Sequence, residues 1–327
     1  MQISLVCTVR DEADNIAVLL DSMLAQTRRP DEIVINDCMS RDATPAIVRA
    51  YGEREPRIRL VVGGHNISSG RNGAVRAARG AIVACTDAGL TLDPGWLAAI
   101  VAPIERGDAD LVGGFFTPAP RTLFERTLGA VNYPDAAEVD AASFLPFGKS
   151  MAFRKALWAH VGGFPEWLSH CEDLVFDMAA ERAGFRRAFA PGAIVYFRPR
   201  GSLRAFARQY YLYARGDGMA GLWARRHAAR YLAYAGLLVA LALAARVPAA
   251  RLPVASLLAL GVAGYTRKPY RRLWPRLRGQ PPHAKAYALG LVPVIRLVGD
   301  LAKLAGYPVG VLRRSVRGAF EPQSRER

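Results

Sequence analysis

Over the first 200 residues, short aliphatic and β-branched runs alternate with stretches of helical periodicity, and this alternation restricts the fold more than any other feature. The strand-like runs are Ile3–Cys7, Glu32–Ile35, Ile58–Val62, Ile82–Thr86, Asp110–Phe116 and Ala193–Phe197. Between the early ones, Asn15–Ala25 sets Ile16, Leu19, Leu20, Met23 and Leu24 on one face at i, i+3, i+4 spacing. Thr44–Tyr51 follows Asp42, and Ser69–Arg79 follows Ser68, each a helix-capping residue type. Strands separated by helices of this length cross over rather than turn back, which predicts βαβ units and a mainly parallel sheet flanked by helices, an α/β fold. Ligands of such sheets bind beyond the carboxyl ends of the strands, so the loops after Cys7, Ile35 and Thr86 are the ones to inspect.

Charge divides the chain more sharply than hydropathy does. Residues 1–200 hold 22 basic and 24 acidic side chains, whereas residues 201–327 hold 22 basic and only 4 acidic. The first part reads as an ordinary globular domain and the second as a segment that meets an anionic surface. Cys7, Cys38, Cys85 and Cys171 are widely spaced and form no CxxC pair, so zinc and disulfide frameworks are not expected and free core thiols in a reducing compartment are. Met1-Gln2-Ile3-Ser4 has neither the basic start nor the long apolar run of a cleaved signal peptide.

Two uncharged runs, Tyr231–Ala245 and Leu252–Thr266, flank Arg246-Val-Pro-Ala-Ala-Arg251. Each is shorter than the roughly 20 residues of a membrane span. Adding Ala228–Arg230 and Val247–Arg251, with arginines snorkelling at the ends, brings each close to span length. A two-helix membrane hairpin over 231–266 is therefore expected, with a re-entrant hairpin or a buried helical pair as the alternatives. Arg225, Arg226 and Arg230 precede it, and Arg267, Lys268, Arg271, Arg272, Arg276 and Arg278 follow it, which places both outer flanks in the cytoplasm. Residues 218–230 read as a basic linker, 267–285 as a basic cytoplasmic loop, 286–313 as an amphipathic or interfacial helix carrying Arg296, Asp300 and Lys303 on one face, and 314–327 as a tail. Positive charge interleaved with near-spanning apolar runs argues against a nucleic-acid partner.

Four segments carry residues suited to chemistry. Thr8-Val9-Arg10-Asp11-Glu12 opens the loop after the first strand, though acids there also serve as dipole complements. Asp37 ends the second strand run and is followed by Ser40, Asp42 and Thr44. Ser68-Ser-Gly-Arg71-Asn72-Gly73 puts an arginine at a helix start, where it can meet a phosphate or a base. Thr86-Asp87-Ala88-Gly89 ends the fourth strand run with a carboxylate placed for a phosphate-bridging cation. Farther on, Glu172-Asp173 either bears catalytic carboxylates or simply opens a helix over Leu174–Gly184.

These segments, in this order, resemble the family 2 glycosyltransferases of GT-A (Rossmann-like) fold, over about residues 1–217. The family's Asp-Asp-Gly-Ser-x-Asp-Gly-Thr block is matched by Asp37 with Cys-Met-Ser-Arg-Asp-Ala-Thr (38–44), and its Ala-Arg-Asn-x-Gly block by Gly70-Arg71-Asn72-Gly73-Ala74. Gly162-Gly163-Phe164-Pro-Glu166, followed by Glu172-Asp173, is similar to its acceptor-side block. The resemblance implies an inverting transfer of sugar from a nucleotide-sugar donor, a UDP-sugar by family frequency or a GDP-sugar. Position by position, it implies that Asp37 accepts from the base, with Val9 and Glu12 lining the same pocket. It further implies that Arg71 contacts base or diphosphate, that Asp87 is the retained half of the metal-binding Asp-x-Asp, and that Asp173, with Glu172 beside it, is the general base.

The second acid of Asp-x-Asp is Gly89 here, so the implied Mg²⁺ or Mn²⁺ is expected to be weakly held, with Arg198 and Arg200 sharing neutralisation of the diphosphate. The Gln-x-x-Arg-Trp motif of processive synthases is not present in the segment 208–218, which points to single transfer. The expected acceptor is lipid-linked or a saccharide at the cytoplasmic membrane face, with membrane lipids as partners. The alternatives are a sugar–polyprenyl-phosphate synthase and a non-catalytic sugar-nucleotide-binding module.

Overall fold

The computed structural model describes residues Met1–Phe320, with side chains as far as Val316; Glu321–Arg327, the end of the expected tail, lies outside the described residues. The chain divides into two units. One comprises Met1–Ala119 and Pro134–Arg198; the other comprises Pro120–Tyr133 and the chain from Pro199 onwards.

The first unit is built on an eight-stranded sheet: β1 (Ile3–Val9), β2 (Glu32–Asp37), β3 (Ile58–Val62), β4 (Ile82–Asp87), β5 (Leu90–Leu92), β6 (Leu111–Pro118), β7 (Ser150–Arg154) and β8 (Arg187–Phe197). Their spatial order is β3-β2-β1-β4-β7-β6-β8-β5. Strands β1 to β4 form the expected parallel set, with helices α1 (Ile16–Leu24), α2 (Thr44–Arg54) and α3 (Ile67–Ala77) in the connections. β7 runs antiparallel between β4 and β6, and the short β5 pairs antiparallel with β8. α4 (Trp96–Glu105), α6 (Lys155–His160) and α7 (Glu172–Arg182) complete this unit.

Local chemistry explains most boundaries. Ile16, Leu19, Leu20 and Met23 of α1 are buried, as the i, i+3, i+4 pattern requires. α3 begins two residues earlier than expected because Asn66, not Ser68, caps it: the Asn66 side chain accepts from Ser69 N and the Ser69 hydroxyl accepts from Asn66 N. β1 and β4 carry apolar residues on both faces (Leu5, Val6, Cys7; Val83, Ala84, Cys85, all 0% exposed), the signature of a strand covered on both sides. Val6, Val83 and Cys85 join Phe153, Phe164 and Phe176 in one cluster, each large side chain contributing about 1.5–3 kcal/mol on burial. No disulfide forms among the described residues.

The second unit is helical: α5 (Leu123–Asn132), α8 (Leu203–Ala220), α9 (Ala224–Arg246), α10 (Arg251–Arg276) and α11 (Pro282–Phe320). Its core joins Leu128 and Val131 of α5 to Phe206 of α8, Leu273 of α10 and Leu291, Val292 and Ile295 of α11. α8 and α11 pack closely enough that a Cβ on Gly306 would stand 2.3 Å from Tyr211 O and one on Gly310 2.1 Å from Arg215 O.

Several expected boundaries change. The domain end expected at 217 falls inside α8, because that helix packs on α11; the segment from Pro199, together with Pro120–Tyr133, belongs to the helical unit. The expected linker 218–230 is mostly helix, with only a turn between α8 and α9, and the expected loop 267–285 is largely the last turns of α10 and the first of α11. The amphipathic helix expected over 286–313 runs over Pro282–Phe320, through Pro293 and Pro308.

α9 and α10 are joined by a 3₁₀ turn at Pro248–Ala250, and both are long and apolar enough to cross a membrane. Leu232, Leu238, Leu252, Leu257 and Leu260 are 65–76% exposed on them. Large apolar side chains exposed in this number on two neighbouring helices are uncommon on proteins that meet only water.

Candidate active site

Three strands end together. β1 and β2 pair Val9 with Asp37, and β1 and β4 pair Thr8 with Asp87, so both acids and the loop that carries Glu12 emerge at one edge of the sheet. The two loops there are laced together. Ser40 donates its hydroxyl to Asp37 Oδ1 at 2.5 Å and its backbone N–H to Oδ2 at 3.1 Å, while accepting from Asp11 N at 2.8 Å. Asp42 accepts from Ala13 N and from Thr44, whose hydroxyl accepts from Glu12 N. Those bonds, the Thr44 hydroxyl first, hold the Asp42 carboxyl below its ordinary range. Asp37 is 2% exposed, and Val9 is likewise buried.

Arg71 is the centre of the arrangement. It enters from α3, is 1% exposed, and its Nη2 donates to Asp87 Oδ1 and its Nη1 to Glu172 Oε1, both at 2.8 Å. Its guanidinium lies over the Phe164 ring at 4.9 Å. A cation buried this deeply is stable only with such partners. Burial, then the Asp173 carboxylate, pushes Glu172 up to about 7 against the pull of Arg71. Burial likewise raises the Cys85 thiol, which lies beside Arg71, to about 12.

Asp173 follows Glu172 in the first turn of α7, with Cys171 before it in the left-handed region at φ 63°. Its Oδ2 accepts from Gly148 N at 3.1 Å and its Oδ1 from Leu174 N at 2.9 Å. Unlike Glu172 it is not fully buried. The turn before α7 is secured by α3: the Asn72 amide accepts from Phe164 N and Trp158 Nε1 and donates to Phe164 O and Glu166 Oε1. Ser68 donates to Leu168 O at 2.5 Å. The Gly-Arg-Asn-Gly and Gly-Gly-Phe-Pro-Glu blocks are thus two halves of one clasp.

Val9, Asp37 and Asp87 therefore share one strand edge, and Arg71 joins Asp87 to Glu172 and its neighbour Asp173. Glu12 approaches the same place: a Cβ on Gly89, which has φ +71°, would stand 3.8 Å from Glu12 Oε2. Arg198 follows Phe197, the register partner of Leu90, and so lies level with Gly89. Arg200 is not brought into this group; it belongs to the helical unit, where its Nε is 3.4 Å from Gln209 Oε1.

Three contributors were not expected. Gly148 supplies the N–H to Asp173 and lies so close to Arg71 that a Cβ would stand 2.3 Å from Nη2. Lys149 is level with Asp87 through the Thr86–Ser150 pairing, and its ammonium lies over the Phe197 ring at 4.9 Å. Asp177, one turn below Asp173, is 1% exposed, and among the described residues neither of its oxygens has a hydrogen-bond partner. Burial, then Asp173, raises its carboxyl well above the ordinary value. Gly148 and Lys149 had a signal, Phe-Gly-Lys-Ser before the apolar Met-Ala-Phe; Asp177 had none.

No group of three or more potential metal-ligating side chains occurs among the described residues. What is present, Asp87 with Glu12 approaching at Gly89, suits a divalent ion that takes one or two carboxylates and completes its shell from substrate phosphates.

The family description "Glycosyl transferase family 2" matches residues 4–189. The chain belongs to glycosyl transferase family 2. A curated relative, the succinoglycan biosynthesis protein ExoO of Rhizobium meliloti (strain 1021), is 38% identical over 109 residues, 33% of this chain and 30% of that protein. The match thus spans under a third of that relative's length. Among solved structures, this glycosyltransferase is similar to the mannosyltransferase PcManGT of Pyrobaculum calidifontis, solved with GDP-Man and Mn²⁺. The TM-score is 0.54 at 20% identity, over 96% of this chain and 87% of that one. It is also similar to TarS 1–349 of S. aureus solved with UDP-GlcNAc, with a TM-score of 0.50 at 19% identity over 98% and 92% of the two chains. At such identities the likeness establishes the GT-A fold.

Proposed function

We propose that this chain is an inverting glycosyltransferase that moves a single sugar from a nucleotide-sugar donor to a lipid-linked or saccharide acceptor at the cytoplasmic face of a membrane. The observation that carries the reading is the buried line Asp87–Arg71–Glu172, which ties the donor-side strand edge to the residue next to Asp173. Asp173 is the general base. Held by Gly148 N and Leu174 N, its carboxylate takes the proton of the acceptor hydroxyl as that oxygen bonds to the anomeric carbon. The carbon–oxygen bond to the diphosphate breaks on the opposite face, the nucleoside diphosphate leaves, and the configuration inverts. Glu172, buried against Arg71, is a positioning residue rather than a second base.

Asp37 and Glu12, with Val9, line the donor end, where Asp37 accepts a ring N–H of uracil or guanine. PcManGT with GDP-Man and TarS with UDP-GlcNAc make both donor classes reasonable to test. A Mg²⁺ or Mn²⁺ ion would be held by Asp87, with Glu12, and would supply charge neutralisation to the diphosphate. Arg198, level with Gly89, and Lys149, level with Asp87, would add positive charge there. The exposed apolar shafts of α9 and α10, with basic residues at both outer flanks, support membrane insertion with those flanks in the cytoplasm.

The test uses full-length protein in detergent, a panel of UDP-, GDP- and dTDP-sugars, and lipid extract as acceptor, with and without Mn²⁺. Turnover of one donor that is lost in Asp173→Asn while donor binding persists is the expected result. Equal turnover in Asp173→Asn would remove the base assignment. Donor binding without turnover in the unaltered chain would leave a sugar-nucleotide-binding module.

A further inference from the structure

The helical unit contains a polar network that the transfer reaction does not use. Its hub is Asp300 on α11, 8% exposed. Arg230 Nε donates to Asp300 Oδ1 at 3.1 Å, and Lys303 Nζ lies 3.8 Å from the same oxygen. The hydroxyls of Tyr234, at 3.3 Å, and Tyr265 donate to Oδ2. A carboxylate offers about four acceptor sites, and three of those on Asp300 are taken by hydrogen bonds. Arg230 Nη1 also meets His227 Nδ1 at 3.1 Å, and His227 Nε2 meets Asp217 Oδ2 at 3.1 Å. A guanidinium only donates, so Nδ1 accepts and the imidazole proton sits on Nε2, facing Asp217.

Three permanent or near-permanent cations, Arg230, Arg296 and Lys303, therefore face two carboxylates, Asp217 and Asp300. Arg296 is the unmatched one. Its guanidinium carbon lies 3.7 Å from the Tyr265 ring centroid, and its Nε is buried with no hydrogen-bond partner. Among the described residues no carboxylate pairs with it. A buried N–H without an acceptor is destabilising, a cost that an incoming oxyanion removes. Burial brings Lys303 down to about 8 despite Asp300, and Arg230 and Arg296 add to the lowering.

The network sits at a particular depth. Arg230 and Tyr234 lie near the start of α9, and Tyr265 lies at the end of the apolar run of α10, so all three mark the open end of the helical pair. The turn at Pro248–Ala250 lies roughly 25 Å away at helical rise. Tyr231, Tyr234 and Tyr265 gather at this end, while Leu238, Leu252 and Leu260 stand exposed on the shafts. Tyrosines and arginines level with one another beside exposed leucines mark a headgroup boundary.

We propose that Arg296 and Lys303, braced through Asp300 by Arg230, form a binding site for the phosphate group of an anionic membrane lipid. The phosphate oxygens accept from Arg296 and Lys303, and the acyl chains lie along the exposed leucines of α9 and α10. This rests on the reading of α9 and α10 as membrane-inserted.

The experiment follows thermal unfolding of the full-length protein in neutral detergent. Phosphatidylglycerol, phosphatidylcholine and inorganic phosphate are added in turn at equal phosphorus concentration, and bound lipid is counted by native mass spectrometry. Phosphatidylglycerol is expected to raise Tm above the phosphatidylcholine value, with binding weakened about tenfold or more in Arg296→Gln. Lys303→Gln provides the same readout should Arg296→Gln not fold. Lys268→Gln with Arg313→Gln, which removes two exposed charges elsewhere, is expected to leave the preference intact. No preference for phosphatidylglycerol, or equal loss in the control pair, would overturn the site. A full rise with inorganic phosphate alone would overturn the lipid as its source. Carbonate washing of membranes separates the two readings. A chain released by carbonate refutes insertion and the site together, whereas a retained chain without lipid preference refutes only the site.

Discussion

Replacing Arg71 by methionine tests the central argument of the site. The guanidinium is 1% exposed and pairs at 2.8 Å with Glu172, whose side chain is 6% exposed, and with Asp87, 22% exposed. Methionine fills much of the same volume, so the principal loss is charge. Asp87 retains access to water, but Glu172 is left as a buried carboxylate without its cation. Breaking a buried pair in this way costs about 3–5 kcal/mol. At roughly 2–4 °C per kcal/mol for a unit of this size, Tm of the catalytic unit falls by about 6–20 °C. The loss also depends on pH. Glu172 already stands at about 7, and without Arg71 it rises further, so at about pH 5.5 it takes up a proton and sheds most of the penalty. Fluorescence-detected unfolding of full-length protein at about pH 5.5 and about pH 8 reads both effects, with Arg71→Met/Glu172→Gln as the double variant. The expected outcome is a larger loss at the higher pH and recovery of most of it in the double variant. A loss independent of pH, or a double variant as unstable as the single one, would show that Arg71 serves by packing and that the ion-pair reasoning is wrong.

In the unaltered chain Glu172 binds more protons folded than unfolded between its ordinary 4.5 and about 7, so this group lowers stability as pH rises through that window and has no further effect above it. Urea unfolding at stepped pH should show that decline, and Glu172→Gln should remove it. Gly310→Ala puts a methyl 2.1 Å from the Arg215 carbonyl, where no rotamer change relieves the overlap; about 1–3 kcal/mol is lost, while Gly290→Ala, with nothing within 4 Å, is neutral or stabilising by the same thermal assay. Gly89→Asp restores the second acid at a residue with φ +71°, costing about 1–2 kcal/mol in a left-handed conformation, and is expected to lower the Mn²⁺ concentration for half-maximal turnover.

The parallel half of the sheet was legible because each strand is a contiguous run and each crossover helix carries its own periodicity. Asp37 and Asp87 were found as strand-terminal acids for that reason, although each strand runs one or two residues past its expected end to include them. β5, three residues long, and β7, antiparallel between distant strands, offer no comparable local pattern. The same holds within the site. Arg71 and Asn72 stand out locally, but Glu172, one of the two partners of Arg71, is 101 residues away, and only the folded register brings Gly148 and Lys149 to them. Charge asymmetry marked the second unit correctly as basic and apolar, yet gave no hint that residues 120–133 belong to it. That allegiance depends on one apolar stripe, Leu128 and Val131, finding its counterpart far downstream.

Arg126 donates to the Arg276 carbonyl, a bond between residues 150 positions apart, and the apolar face of α5 is completed only by α10 and α11. At a synthesis rate of about 5–20 residues per second, α5 waits roughly 8–30 s on the ribosome before its cover exists. During that interval the chain between β6 and β7 presents Leu128 and Val131 to whatever is nearby. A nascent chain released early, or a gene cut at codon 217, would leave that stripe without its cover, and its product should clump or recruit chaperones.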